Sequence, residues 1–391
     1  MYTLFTLVIG LITLFLLRFL NRDWWQIKLV KYAAVSLPVL SIVALGLLIV
    51  SRSLNSAILT RFSTLLASAC LVLIISSIAA FAVSGVIKIA YRIIRHLSGL
   101  RRHRSSDTAG TDRRAFLTRS LAVFPVLTTG AGLGGMVGSF LSPKVREIEF
   151  TYDNLPAQLD GFRILHLSDL HLGRYFKMAD LDELIEDLGK KSLNLILISG
   201  DICDVPDQLP ETLDKISALN PSHGCFASLG NHEYYHGVRR SIEAHARSRI
   251  PLLIDSGVSM DVDGTGLYVG GANDPVSMFT DVESFLSRSV AAALASARYD
   301  EFKIIMSHRP RGFVPAAERG VDLTLAGHTH GAQMGIGGRS LFESDDPPNY
   351  FWGEYAKGRS RLYTSAGVGH WFPFRLGCPA EAPIITLKKS A

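Results

Sequence analysis

The sequence predicts an α/β domain preceded by an all-helical membrane region, and three observations predict it. Apolar stretches of bilayer length lie before residue 144; beyond it, short apolar runs of strand length alternate with amphipathic segments. The charge balance changes sign at the same place: residues 1–143 hold 15 Lys and Arg against 3 Asp and Glu, and the other 248 are net acidic by 7. The basic balance of the whole chain, +5, therefore belongs to the first part and not to a nucleic-acid surface on the globular part. With 48% hydrophobic and 19% charged residues the 391-residue chain is too apolar for a wholly soluble protein and too ordered in pattern for disorder. Its cysteines, Cys70, Cys203, Cys225 and Cys378, have no C-x-x-C spacing, which excludes a zinc ribbon or a dithiol redox motif.

Spanning a bilayer takes about 20 apolar residues, and stretches 2–20, 33–50, 62–87 and 120–143 approach that length. They are read as about four membrane helices, the second short enough that an interfacial segment competes with it. The segment 88–119 carries nine Lys and Arg against two in 51–61 and three in 21–31, which places it in the cytoplasm. Counting crossings from there puts the amino terminus and everything beyond residue 144 on the extracytoplasmic side of a plasma or inner membrane.

Asp112-Arg113-Arg114-Ala115-Phe116-Leu117 before an uncharged, Gly-rich stretch resembles a bacterial twin-arginine export signal. That resemblance implies the export machinery as a partner and a domain that crosses the membrane already folded. No A-x-A-like cleavage site precedes Lys144, so the fourth stretch is expected to remain as an anchor.

From Val145, five apolar runs end in polar clusters. Residues 162–167 lead into Ser168-Asp169-Leu170-His171, 193–199 into Gly200-Asp201, and 225–229 into Gly230-Asn231-His232-Glu233. Residues 302–307 lead into His308, and 323–326 into Gly327-His328-Thr329-His330. Segments 178–188 and 282–297 have helical amphipathicity. Each polar cluster falls at the carboxyl end of a strand, the edge where ligands collect in open α/β sheets. Asp, Asn and His offer oxygen and nitrogen donors without thiolate, a set suited to Mn, Fe, Zn or Mg. Asp169, His171, Asp201, Asn231, His308, His328 and His330 exceed what one ion takes, and a pair of divalent ions about 3.5–4 Å apart, as in phosphate-ester hydrolases, accounts for the number.

These blocks, D-x-H, G-D-x-x-D, G-N-H-E, a lone His after a strand and G-H-T-H in this order, resemble the calcineurin-like metallophosphoesterases over roughly residues 145–387. The resemblance implies a four-layer sandwich of two facing β-sheets flanked by helices, with a dinuclear site at their carboxyl ends. It implies that Asp169, His171, Asp201 and His330 hold one metal, that Asp201, Asn231, His308 and His328 hold the other, and that Asp201 bridges. His232 matches the histidine that assists the leaving oxygen, and Asp204 orients a neighbouring group or sits as a solvated loop acid; Glu233 has the same ambiguity. A Gly-rich turn followed by Pro and Arg, similar to one in membrane-associated bacterial members, makes His370 and Arg375 candidate substrate contacts. His166 is read as a packed core residue, Cys203 as a buried apolar side chain, and His223, His236 and His245 as lacking a partner pattern.

The expected activity is hydrolysis of a phosphodiester, pyrophosphate or phosphomonoester by attack of a metal-activated hydroxide on phosphorus, with no covalent enzyme intermediate. The membrane region and the aromatic loops Tyr175-Phe176, Tyr350-Phe351-Trp352 and His370 to Phe374 lean towards a lipid-linked substrate; packing of the same aromatics onto the core is the competing reading. The alternative function is a membrane sensor or scaffold that binds a phosphorylated ligand without turnover. A transporter is disfavoured because the helices lack intramembrane acids.

Overall fold

Apolar runs with few helix breakers build the amino-terminal helices: α1 (Tyr2–Phe15), extended by a π-helical turn at Leu16–Leu20, α2 (Arg22–Trp25), α3 (Lys28–Ser53), α4 (Ala57–Gly99) and α5 (127–138). The computed structural model describes residues 2–54, 56–99, 127–173, 175–276, 281–344 and 349–390. The chain falls into two units, Met1–Gly138 with Phe372–Leu376, and Ser139–Trp371 with Gly377–Ala391.

In the first unit Leu17, Ala34 and Phe81 form a small core with Trp24 and Trp25 packed against it. Asn21, fully buried where the π turn ends, donates from Nδ2 to the Phe81 carbonyl at 2.8 Å, and its Oδ1 accepts from Ser84 Oγ at 2.8 Å and Lys88 Nζ at 3.2 Å. Among the described residues, Lys28–Ser51 and Ile58–Ile94 are long and apolar enough to cross a membrane, whereas the apolar part of the first helix, Val8–Leu20, is shorter. The second expected stretch starts at Lys28 and not at residue 33, and residues 88–99, expected to open a basic loop, continue α4. Residues 100–126, which include the Arg113-Arg114 motif, lie outside the described residues.

The second unit opens with β1 (Lys144–Tyr152), β2 (Arg163–Leu167), α6 (Met178–Leu188), β3 (Leu195–Ser199), α7 (Leu209–Ser217) and β4 (Cys225–Ser228). There follow α8 (Asn231–His236), α9 (Val238–Ala246), β5 (Ser256–Val262), β6 (Thr265–Gly271), α10 (Val282–Ala293), β7 (Phe302–Met306), α11 (Phe313–Glu318) and β8 (Leu323–Ala326). The short hairpin β9 (Gly335–Ile336) and β10 (Arg339–Ser340) precedes β11 (Gly353–Lys357), β12 (Ser360–Thr364) and β13 (Glu381–Lys389).

One sheet has five strands in the order β1-β13-β2-β3-β4 and the other six in the order β11-β12-β8-β7-β6-β5. Successive side chains of a strand point to opposite faces, and the burial follows that period. Ile164, Leu195 and Leu197 join Leu267, Val269, Ile304, Met306, Leu323 and Leu325 in one core between the sheets. Their neighbours Leu165, Leu167, Ile196 and Ile198 join the leucines of α6 and α7 on the outer face, and Ile305 packs with Val290 and Ala293 of α10. The result is the expected α/β sandwich with helices on both outer layers.

Strand direction fixes where chemistry gathers. β2, β3 and β4 are parallel, as are β6, β7, β8 and β12, so the loops after β2, β3, β4, β7 and β8 emerge at strand carboxyl ends. β1 runs parallel to β13, which is antiparallel to β2, so the chain enters β1 at the edge where β2 leaves.

Candidate metal centre

Strained backbone surrounds the polar clusters. Asp169, His171, Asp201, His328 and His330 have φ between 46° and 68°, a region costly to non-glycine residues and populated where the surroundings over-determine it. Close approach does so here. A Cβ on Gly327 would lie 2.1 Å from Asp169 Oδ2, one on Gly230 2.2 Å from Asp201 Oδ1, and one on Gly367 2.9 Å from Asp169 Cβ. Backbone bonds tie the loops together: Asp169 N–H donates to the Gly200 carbonyl at 3.1 Å and Gly369 N–H to the Asp169 carbonyl at 2.8 Å.

Three carboxylates fix this frame. Glu233, buried in α8, accepts from the backbone N–H groups of Asp201 (2.9 Å), Ile202 (2.8 Å) and Gly230 (2.8 Å), locking the β3 and β4 loops to each other. Asp169 accepts the His328 N–H at 2.9 Å, and Asp201 accepts the His232 N–H at 2.8 Å. Beyond the site, buried Glu381 accepts from Trp352 Nε1, Tyr363 Oη and Ala366 N–H, which anchors the loop running to Gly367.

The imidazole tautomers follow from the partners of Nδ1. His308 Nδ1–H donates to the Ser199 carbonyl at 2.7 Å, which turns Nε2 towards Asp201 Oδ2 at 3.3 Å, Asn231 Oδ1 at 3.2 Å and His328 Nδ1 at 3.2 Å. His171 Nδ1–H donates to Asp204 Oδ1 at 3.0 Å, and its Nε2 faces His330 Nε2 at 3.2 Å, Asp201 Oδ2 at 3.7 Å and Asp169 Oδ1 at 3.8 Å. Asp201 Oδ2 stands between the two groups.

Burial would raise Asp169 and Asp201, but the imidazoles of His330 and His308 respectively outweigh it and hold both below the usual carboxylate range. His308 rises to about 10: burial lowers it, and Asp201 beside it more than compensates. His328 falls to about 3 through burial and the charge on His308. Glu233 is raised by burial and by Asp201, against its three N–H donors.

Asp169, His171 and His330 each offer a ligand atom within 4.8 Å of the others, and so do Asp169, Asp201 and His308. Lone pairs converging from hard oxygens and imidazoles oriented from behind are what divalent ions require, and the donor set fits two of them. The structure thus brings together all seven expected ligand residues. His232 stands beside them, its Nδ1 2.8 Å from Asp204 Oδ1 and its ring 4.4 Å from that of His171.

Other expectations fare differently. His370 is buried and stacks on Tyr175 at 5.2 Å, whereas Arg375 falls in the segment grouped with the first unit, where its N–H donates to the Gly135 carbonyl at 2.7 Å. His166 is a core residue bonded to Ser199 Oγ at 2.8 Å, and the buried Cys203 thiol is pushed up to about 12. His236, read as lacking a partner, lies 3.5 Å from Asp204 Oδ1; its position four after His232 on α8 was the available signal. The acceptor carbonyl of Ser199 has no side-chain signature. Of the loop aromatics for which lipid contact and packing compete, Phe176, Tyr350 and Trp352 are buried, as the packing reading has it, while Trp371 is half-exposed.

Residues 162–332 match the family model described as calcineurin-like phosphoesterase. The chain is 28% identical over 287 residues to an uncharacterized metallophosphoesterase of Campylobacter jejuni, covering 70% of each protein. It is 29% identical over 293 residues to the uncharacterized metallophosphoesterase YkuE of Bacillus subtilis, covering 71% of this chain and 98% of that one. A transmembrane protein with metallophosphoesterase domain from Danio rerio is 24% identical over 287 residues, 68% of this chain and 62% of its own length. The match over residues 162–332 and the likeness to these metallophosphoesterases, together with the ligand cluster, support a metal-dependent phosphoesterase.

Proposed function

We propose that the chain is a membrane-anchored hydrolase of a phosphodiester, pyrophosphate or phosphomonoester bond, acting on a lipid-linked substrate. The observation that carries the chemistry is the convergence of His308 Nε2, Asn231 Oδ1, His328 Nδ1 and Asp201 Oδ2 beside a second cluster that shares Asp201. In this reading Asp169, His171, Asp201 and His330 hold one ion, and Asp201, Asn231, His308 and His328 the other. When bound, such ions supply Lewis acidity towards the phosphoryl oxygens and an activated water at neutral pH.

The chain's own residues supply the rest. His232, held by Asp204, delivers a proton to the leaving oxygen, and the same Asp204 oxygen keeps the Nε2 lone pair of His171 turned inwards. Glu233 keeps the Asp201 backbone in its left-handed conformation.

Two apolar helices and the transmembrane relative from Danio rerio support the anchor. The nine Lys and Arg of segment 88–119 support an extracytoplasmic domain, and the Arg113-Arg114 motif supports twin-arginine export. We take residues 1–143 as the membrane region and 144–391 as the catalytic domain. The test is turnover by the purified full chain of a chromogenic monoester, a chromogenic diester and a lipid pyrophosphate. Preference for the lipid pyrophosphate is expected; metal-loaded protein inert on all of them overturns the reading.

A further inference from the structure

The two edges of the domain differ in polarity. The edge opposite the metal-ligand cluster is charged: a cavity of about 410 Å³ at the starts of β7 and β12 is lined by Asp153, Asp300, Lys303, Arg359 and Arg361 among others. At the cluster edge the chain instead presents large apolar side chains to solvent. The hairpin after His330 exposes Ile336 (74%), Leu341 (54%) and Phe342 (53%), and the loop after β12 exposes Trp371 (52%). Phe140 and Leu141, at the entry to β1, emerge at this edge too and are 49% and 65% exposed. An apolar set of this kind on one edge marks a contact surface, since single exposed hydrophobics are ordinary but grouped ones are not.

Three features select the occupant. The same chain carries helices long and apolar enough to cross a membrane. The chain that follows the helical region enters β1 at Lys144, at the apolar edge of the domain. Arg339 stands exposed in the hairpin between Ile336 and Leu341, and Lys144 is exposed at the start of β1; both suit anionic headgroups. The hairpin tip, Gly337-Gly338, takes φ of 62° and 87°, which turns the chain tightly and leaves Ile336 and Arg339 flanking the turn.

We propose that the edge carrying the metal-ligand cluster lies against the bilayer surface, with Ile336, Leu341, Phe342 and Trp371 seated in the headgroup region, so that the site meets phosphoesters at the lipid–water boundary. This rests on the membrane-anchored reading above and adds to it which face of the domain meets the lipid. Apolar side chains beside a basic residue are the composition that interfacial anchoring uses.

The experiment uses the full chain in nanodiscs of phosphatidylcholine and phosphatidylglycerol. The native cysteines are buried, so a maleimide fluorophore placed at Ile336→Cys or at Tyr299→Cys reports on that position alone. Tyr299 is fully exposed at the charged edge and serves as the control. Lipids carrying a quencher near the headgroup should cause a loss of fluorescence at position 336 and leave position 299 unchanged. No loss at 336, as when a second copy of the chain covers the hairpin, overturns the proposal, and so does equal loss at both positions. Retention of the protein in the nanodisc and turnover of a soluble diester are read on the same samples, so failure of the anchor or of the site is seen separately from failure of this docking face.

Discussion

A single carboxylate oxygen, Oδ1 of Asp204, holds both His171, through Nδ1 at 3.0 Å, and His232, through Nδ1 at 2.8 Å. It couples an imidazole of the ligand cluster to the one that, in the proposed reading, serves the leaving group. Burial would raise this carboxyl, and the two imidazoles outweigh it and hold it below the usual range. Asp204→Ala should weaken metal binding about 10–100-fold, because the tautomer and orientation of His171 are no longer set. Asp204→Asn, which keeps an acceptor but not the charge, should fall between the two. Metal titration followed by calorimetry checks the series, and wild-type affinity in the alanine variant would contradict it.

Gly327→Ala should disable the site while leaving the fold intact. The added Cβ would meet Ser168 Oγ at 1.9 Å and Asp169 Oδ2 at 2.1 Å, so the Asp169 carboxylate must leave its position. The expected outcome is loss of bound metal and of turnover with an unchanged circular dichroism spectrum. A fully loaded, active variant would show that Asp169 is not needed where it stands.

Burial pulls His166 down to about 3 from its ordinary 6.5, so it stays neutral in the fold. As pH falls through 6.5 the unfolded chain takes up a proton that the fold refuses, and stability is lost until about pH 3, where the folded form also protonates. The loss amounts to about 1.4 kcal/mol per pH unit within that window. His166→Gln keeps a partner for Ser199 and removes the titration, so the gap between variant and wild type should shift in the variant's favour by that slope. Urea midpoints at several pH values read it, and parallel curves would contradict it.

Arg309 and Asp274 form a buried pair, Nε to Oδ2 at 2.8 Å, directly after His308. Removing one partner leaves a buried charge alone, so Asp274→Ala should cost about 3–5 kcal/mol. Chemical denaturation measures this, and a loss below about 1 kcal/mol, the range of an exposed pair, would contradict it.

Strand-length runs ending in Asp, Asn or His were legible because a parallel sheet writes its period and its site edge into local sequence. β3 falls within its expected run, and α6 matches its expected bounds residue for residue. What stayed hidden depends on contacts distant in sequence. Ser199 serves His308 through a carbonyl, 109 residues away, and Glu381 holds the Ala366 backbone from β13. The aromatics of 350–352 carry no local mark that separates a packed loop from an exposed one, and only the sandwich decides that Tyr350 and Trp352 turn inwards. The hairpin apolars were missed because Ile336, Leu341 and Phe342 are too few and too near glycines to read as a surface in sequence.

The central claim is a dinuclear centre bridged by Asp201, and metal content measured together with turnover on the purified full chain tests it most directly. The wild type should carry about two divalent ions per chain and hydrolyse a chromogenic phosphodiester. Asp201→Ala should lose both metal and activity while keeping the fold. A wild type that binds one ion or none, or an Asp201→Ala variant that keeps its metals and its rate, would contradict the account.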